Sequence, residues 1–413
     1  MAYMDTKKTS NLLFLEVSAH FSNAVGKKTH EIYVNEGDPD DTKLSECSTY
    51  PDCGGGQDIP VLNTNIKRTL YWRTHSNVLE LFEYSFNSNL QHNHYEVLFQ
   101  NSKILPGLQI FCTGGQVVVL FSTIHATHRV VFNAPHIRNK DRSILHGLSA
   151  TNFTDENNVF YFTQPEQFSH MTSGVTGSPT ARQQLGAIFT LVGANGNLSI
   201  VKMPHKGQAT MLQMNRASRM SRIWSGINPW AGSGSGETPC GLKLVCLDSG
   251  NPKVVGICRD HKIRVWSCKS LDCVAQFDMK PHLQDDTPGL DGNSSHKISI
   301  TYNDVDDVWI LSVCIASEHG PKFFIFEAAQ DISAIEHIST IDFVPDGTVL
   351  QPQLVDFMVS SNSHLWALLL DSEDQISLAV CEMETAIWHE VALSTPPLSE
   401  VIVCCFYFFC CNM

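Results

Sequence analysis

Positive charge is scarce in this chain of 413 residues. Lys and Arg number 28 against 42 Asp and Glu, a formal net charge of −14 at pH 7. Phosphate backbones are gripped mainly by Lys and Arg, so no direct DNA or RNA binding is expected. Long apolar runs are also missing. The longest, Val401–Cys411, has eleven residues, whereas a bilayer-spanning helix needs about 20. The start, Met1–Ser10, is polar, and Leu12–Leu15 is too short for the apolar part of a secretory signal. Signatures of catalysis are absent too. Gly54-Gly55-Gly56 and Gly114-Gly115 lack the setting that phosphate binding needs. There is no H-E-x-x-H, no G-x-S-x-G and no C-x-x-C. No enzyme activity, no cofactor, no metal and no small-molecule substrate are therefore expected.

Hydrophobic residues make up 43% and charged residues 17%, which is the composition of a folded chain. Of fourteen Cys, Cys246, Cys258, Cys314 and Cys381 sit inside apolar runs, as buried free thiols do in a reducing compartment. Cys404-Cys405 and Cys410-Cys411 flank only Phe-Tyr-Phe-Phe, too tight for unstrained chelation; lipidation is the other chemistry they suggest.

Short apolar runs separated by turn residues dominate the rest. Six pairs share one shape, an apolar strand, a polar turn and a second apolar strand. They are Leu70–Trp72 with Val78–Phe82, Val117–Thr123 with Arg129–Phe132, Ala187–Val192 with Leu198–Val201, Val254–Cys258 with Ile263–Trp266, Val308–Ile315 with Phe323–Phe326, and Leu365–Leu370 with Ile376–Val380. Each predicts a β-hairpin. Anchors in the second strands, Glu80, Val131, Ile200, Val265, Ile325 and Leu378, recur at intervals of 51, 69, 65, 60 and 53 residues. An ordered repeat of this kind predicts a WD40-like β-propeller whose blades carry inserted loops; a β-sandwich or two smaller β domains are the alternatives. Blade-like units are expected near 70–86, 104–133, 185–203, 242–279, 296–328 and 353–393. Glu36–Asp58, Met171–Arg182 and Gln284–Ser295 are expected to be loops.

The clearest blade is Val254–Met279. Asp260 is expected to accept backbone hydrogen bonds in its tight turn, and Trp266 to pack between blades. Asp260 beside His261 also has the elements of a catalytic pair, against which a turn Asp and an exposed His is the better reading. His92 and His94, with His75, are metal-ligand types without a well-spaced third partner. One segment departs from the β pattern. In Met211–Trp230, Met220, Ile223, Trp224 and Ile227 fall on one helical face, with Arg216, Arg219 and Arg222 on another. This predicts a short helical insert at 211–230 that packs on the propeller side or lies in a membrane interface.

Several stretches resemble a known family in order. Leu70–Leu81 (LYWRTHSNVLEL), Ile104-Leu105-Pro106-Gly107, Arg222–Pro229 (RIWSGINP), Asp260–Trp266 (DHKIRVW) and His296-Lys297-Ile298 are similar to segments of the 160-kDa nucleoporins, the 120-kDa protein in yeast. The resemblance covers roughly residues 10–395. It implies a seven-bladed propeller followed by a helical stalk. It also implies a scaffold role in the Y-shaped complex of the nuclear pore's outer rings, at the nuclear envelope, with other Y-complex nucleoporins as partners and a role in mRNA export and protein transport. About six blades are visible, so residues 1–398 are expected to form the propeller region. Residues 399–413 are expected to be an unstructured, apolar, Cys-rich tail foreign to the family, and the chain a truncated isoform without the stalk. A generic cytosolic propeller adaptor binding protein partners is the second reading, and a propeller hydrolase the third.

Overall fold

The structure, a computed structural model, describes residues 29–36, 50, 52–139, 141–163, 168–176, 186–193, 196–215, 237–245, 251–283, 297–303, 305–317, 320–343, 353–360, 363–370 and 376–391. Six antiparallel sheets follow one another along the chain. The first holds β1 (His30–Asn35), β2 (Cys53–Pro60), β3 (Lys67–His75), β4 (Val78–Tyr84) and β5 (His94–Gln100). The second holds β6 (Gln109–Thr113), β7 (Gln116–Ser122), β8 (Ala126–Asn133) and β9 (Val159–Tyr161). The third holds β10 (Phe168–Thr176), β11 (Gly186–Gly193), β12 (Leu198–Met203) and β13 (Thr210–Gln213). The fourth holds β14 (Pro239–Val245), β15 (Lys253–Cys258), β16 (Lys262–Ser267) and β17 (Cys273–Asp278). The fifth holds β18 (Lys297–Asn303), β19 (Val308–Ser317), β20 (Gly320–Ala328) and β21 (Ile335–Asp342). The sixth holds β22 (Gln353–Val359), β23 (His364–Leu370), β24 (Ile376–Glu382) and β25 (Ile387–Val391).

Five of the sheets run in simple chain order. The first has the order β1-β5-β4-β3-β2, because β1 adds to the outer edge in parallel with β5. The strands β2, β6, β10, β14, β18 and β22 each open their own four-strand meander and touch one another in series. Cys53 at the start of β2 also feels the charges of Lys297 on β18 and Asp356 on β22. The inner strand of the first sheet thus comes round to those of the fifth and sixth. This is a β-propeller, and the six expected hairpins are the two central strands of its six sheets.

Why those strands were legible follows from their packing. Central strands such as β7, β11 and β15 bury both faces, so they are continuous apolar runs and not alternating ones. Val117, Val119 and Phe121 face the first sheet's Leu70, Leu79, Leu81 and Val97. Val118 and Leu120 face the third sheet's Phe189, Leu191 and Val201. The pattern repeats: Ile188, Val192 and Ile200 meet Val254 and Trp266; Val255, Ile257 and Val265 meet Val313 and Phe326; Phe323 and Ile325 meet Phe357, Leu365 and Ala379. Burying a side chain of this kind is worth roughly 1.5–3 kcal/mol, and the alternation spends successive residues on opposite neighbours.

Three segments differ from expectation. Cys53–Asp58 is not loop but most of the inner strand β2, and Glu36 is buried. Here glycine makes room for aromatic rings: a Cβ on Gly55 would sit 2.8 Å from Trp72 Nε1, and one on Gly56 3.0 Å from Tyr71 Cδ1. Met171–Thr176 is strand, with Met171 in the core between the second and third sheets. Met211–Gln213, expected to begin the helical insert, is the end of edge strand β13, where pairing with β12 prevails over the helical spacing. No α-helix occurs among the described residues. Met214 is buried and Asn215 follows β13, whereas residues 216–230, among them Arg216, Arg219, Met220, Arg222, Ile223, Trp224 and Ile227, lie outside the described residues, as do residues 399–413 and all of Gln284–Ser295.

Candidate functional site

Asp260 and Trp266 are two residues of one hairpin with two different jobs. Asp260 sits in the turn between β15 and β16, just before His261 at φ +63°. Its carboxylate does not accept backbone amides as expected. It receives both Nη1–H and Nη2–H of Arg264, at 2.8 and 2.5 Å. Arg264 is buried inside the sheet, so it must be paired there. Burial alone would lower its pKa, but Asp260 more than offsets this and the guanidinium is held above its ordinary value. The carboxylate is therefore committed, and His261, whose Nδ1 is buried without a hydrogen-bond partner, has no acid–base relay with it. Trp266 lies between the third and fourth sheets as expected, 1% exposed, and its indole N–H donates to Asn215 O at 3.1 Å.

The histidines read as metal-ligand types disperse. His75 bonds Asp52 at 2.7 Å, His92 Nδ1 lies 2.9 Å from His30 Nε2, and His94 Nε2 lies 2.7 Å from Glu80. Cys258, Cys314 and Cys381 are buried free thiols, while Cys246, Cys404, Cys405, Cys410 and Cys411 lie outside the described residues. Burial pushes the Cys258 thiol up to about 12 and Cys381 up to about 11, which makes both poor nucleophiles at neutral pH.

The junction of the first and second sheets holds what the sequence reading missed. Arg68 on β3 pairs with Glu83 on β4 at 3.1 Å, both buried. The other Glu83 oxygen accepts from Ser143 Oγ at 2.6 Å and from the Ile144 amide at 2.7 Å. Arg68 also donates to the carbonyls of Arg142 and Asn139. One ion pair thereby anchors the long β8–β9 connection onto the first sheet. Burial raises the Glu83 pKa, opposed by Ser143 and Arg68. A second pair, His128 Nε2 to Glu36 at 2.9 Å, is also buried and ties the residue after β1 to β8. The His128 ring stacks on Phe121 with centroids 4.7 Å apart. Burial works against the Glu36 charge, but His128 prevails and its pKa is lowered. Arg129 reaches the other way, donating to Asn158, to Asn157 O and to Pro204 O beyond the third sheet. The signal was a charge embedded in an apolar strand (Arg68, Glu83, His128, Arg129), since a strand covered on both faces tolerates a charge only when it is paired.

The anchored β8–β9 connection forms a cavity of about 450 Å³ against the first sheet, lined by Gln91, Ile137, Arg138, Asn139, Asp141, Arg142 and His146. Two exposed guanidiniums beside an imidazole give it a basic wall suited to an acidic segment. Among the described residues no nucleophile, general base and orienting group converge at any one place. No helix among them is long and apolar enough to cross a membrane.

Comparison with known proteins agrees with this architecture. Residues 68–404 match the family described as "Nucleoporin Nup120/160, beta-propeller domain". The chain is similar to the nuclear pore complex protein Nup160 of Homo sapiens, 26% identical over 357 residues, covering 81% of this chain and 24% of that protein. It is 27% identical to the Mus musculus protein over 354 residues, covering 81% and 25%. It is 25% identical to the Drosophila melanogaster homolog over 386 residues, covering 89% and 26%. It thus spans about a quarter of the length of these relatives. Among solved structures, the propeller domain of Cps50 (Swd1) from Myceliophteria thermophila overlays with a TM-score of 0.43 at 6% identity, covering 84% of this chain and 90% of that one. The match of residues 68–404, running from β3 past β25 through all six sheets, identifies the chain as a member of the Nup120/160 nucleoporin β-propeller family.

Proposed function

We propose that this chain is a structural, non-catalytic component of the nuclear pore complex at the nuclear envelope, and that it serves the outer-ring Y-shaped complex. The family match over residues 68–404 carries the reading, and the names of the three relatives support it. A ring of sheets with interlocked cores is a stiff body that offers loops to protein partners. In this reading residues 1–398 form the propeller region, other Y-complex nucleoporins are its partners, and mRNA export and protein transport depend on it indirectly. The basic cavity at Arg138 and Arg142 is the surface we assign to an acidic segment of a neighbouring subunit. The test is imaging of the fluorescently tagged chain in its own cells. A nuclear-rim signal that R138E/R142E dims supports the assignment. A diffuse signal from the soluble parent overturns targeting by the propeller, and capture of signalling proteins in place of nucleoporins favours a cytosolic adaptor.

Peripheral contact with the pore membrane through residues 216–230 rests on their apolar stripe and three arginines. Liposome flotation of the parent beside Trp224→Asp tests it, and equal binding of the two removes it.

A further inference from the structure

The register of the first sheet lines up charge in a way its pairing does not resolve. Arg73 lies opposite Glu80, Glu80 opposite Glu96, and Glu96 opposite Glu31. Three glutamates therefore stand in a row, one on each of β4, β5 and β1. They lie on the face opposite Leu79, Leu81, Tyr95 and Val97, which enter the apolar core. Like charges directly opposite one another destabilise a sheet. Glu80 is compensated by Arg73 Nε at 2.7 Å on one oxygen and by His94 Nε2 at 2.7 Å on the other. Glu31 accepts the Tyr33 hydroxyl at 2.7 Å. Glu96, half-buried between them, makes no hydrogen bond or ion pair among the described residues.

We propose that Glu80, His94 and Glu96 form a binding site for a divalent transition-metal ion, zinc by preference. One ligand atom from each lies within 4.8 Å of the others. One imidazole and two carboxylates suit zinc, with a water as fourth ligand; all-oxygen sets suit calcium and magnesium, and thiolates suit copper(I). The His94 ring is already oriented. Its Nδ1 is 3.2 Å from Thr29 Oγ1, the outer-shell bond that ligating histidines usually make, which leaves Nε2 aimed at the carboxylates. The Glu80 contact places a proton on Nε2, so binding needs the other tautomer: a neutral ring ends with its proton on Nδ1, donated to Thr29 Oγ1, a cationic ring loses its Nε2 proton to solvent, and two bonds to the ion replace the Glu80–His94 hydrogen bond. It also gives Glu96 its missing partner and relieves the repulsion along the row that runs onto β1. Arg73 competes, because its charge bears on a ligand oxygen's neighbour. A second histidine group, His30, His92 and His146, lies nearby but holds no carboxylate.

Zinc titration of the whole chain after EDTA treatment, followed by calorimetry, tests the site. Glu96→Gln is expected to remove one zinc per chain, or to weaken that zinc by more than the roughly 10–100-fold that loss of an outer-shell partner costs. It should leave the circular dichroism unchanged, since Glu96 bonds nothing. Thr29→Val is expected to weaken binding by about 10–100-fold, and Arg73→Gln to tighten it. Cobalt in the same site should show a spectrum without thiolate charge-transfer bands, lost in Glu96→Gln. Equal zinc number and affinity in the parent and Glu96→Gln overturn the proposal. So does zinc that is lost with His92→Ala but not with Glu96→Gln, and so does an Glu96-dependent site that takes calcium or magnesium but not zinc.

Discussion

The first two sheets and the last two are built from the same meander yet joined by different chemistry. Between the first and second, buried charge is part of the joint: Arg68 with Glu83, and the Glu36 carboxylate hydrogen-bonded to His128. Between the fifth and sixth, the joint is aromatic and aliphatic, with Phe323 against Phe357 at 5.2 Å and Cys314, Ile325, Leu365 and Ala379 around them. Among the described residues the buried polar side chains there are Ser or Asn, not charged ones. Its ion pair, Lys297 with Asp356, is half-exposed. An apolar joint is tolerant, because any well-packed hydrophobic set of the right volume serves. A buried ion pair is unforgiving, because either half left alone is an uncompensated charge. The two ends of the molecule should therefore fail differently.

The largest expected effects test that contrast directly. Glu83→Ala strands the Arg68 guanidinium in the core and is expected to cost about 3–5 kcal/mol. Phe326→Ala, in the core between the fourth and fifth sheets, is expected to cost a similar ~3–5 kcal/mol by opening a cavity. The difference lies in rescue. Arg68→Met with Glu83→Leu removes both charges at similar volume and should recover most of the loss, as apolar replacements of buried pairs do. No polar change should rescue Phe326→Ala. Urea unfolding of the three variants decides it, and a double variant no better than Glu83→Ala breaks the contrast.

Next in size is Gly107, the last residue of the Ile104-Leu105-Pro106-Gly107 stretch. Its φ is +110°, and a Cβ there would lie 2.0 Å from Met171 O on the neighbouring sheet. Gly107→Ala must shift backbone, not a side chain. It is expected to destabilise by more than the roughly 1 kcal/mol that a compatible Gly-to-Ala change gains, read as a lower urea midpoint.

These examples show what the sequence could and could not reveal. The central hairpins were legible because two buried faces leave an uninterrupted apolar run, as in Val117–Phe121 or Phe323–Phe326. Outer strands β13 and β25 were not, because they are mostly exposed. Inner strand β2 was disguised by its glycines, whose role depends on Trp72 and Tyr71 rings supplied by the next strand. Trp266 was found because a tryptophan in a buried strand must pack somewhere. Glu36 was missed because its partner, His128, lies 92 residues away, and no local pattern announces such a pairing.

The two buried carboxylates at the amino end should also respond to acid with opposite signs. The Glu36 pKa is lowered in the fold, so its stabilisation is fully present above the ordinary value of 4.5 and is lost as pH falls through the folded value. The Glu83 pKa is raised, so its proton-linked contribution is fully present below 4.5 and is lost as pH rises through the folded value. Glu36→Gln should therefore flatten the acid side of the stability curve, its penalty shrinking as pH drops from 7 toward 4, while the penalty of Glu83→Gln does not shrink in that range for the same reason. Thermal unfolding across pH measures both, and parallel curves would remove the assignment of Glu36 as an ionised partner of His128.

The smallest effect sits at the boundary between the two regimes. The joint of the third and fourth sheets has an apolar core like the carboxyl end, but directed bonds flank it: Leu244 N–H to Thr172 Oγ1 at 3.1 Å, Asn215 Nδ2–H to Asp272 at 2.8 Å, and Trp266 Nε1–H to Asn215 O at 3.1 Å. Trp266→Phe keeps an aromatic ring in the cluster of Val254, Leu242 and Ile200 and loses that bond. A hydrogen bond of this type contributes a net of about 0.5–1.5 kcal/mol, and the smaller ring adds a little cavity cost, so about 1–2 kcal/mol is expected. Trp388, on the exposed edge strand β25, supplies the control. Its indole makes a similar bond to Asp342 O at 3.0 Å, but near solvent, where water replaces the lost partner, and Trp388→Phe is expected to stay within about 0.5 kcal/mol. If the two variants cost the same, the bond at Trp266 adds nothing beyond its ring. The Trp266 ring then contributes as the rings of the apolar carboxyl end do, by packing alone.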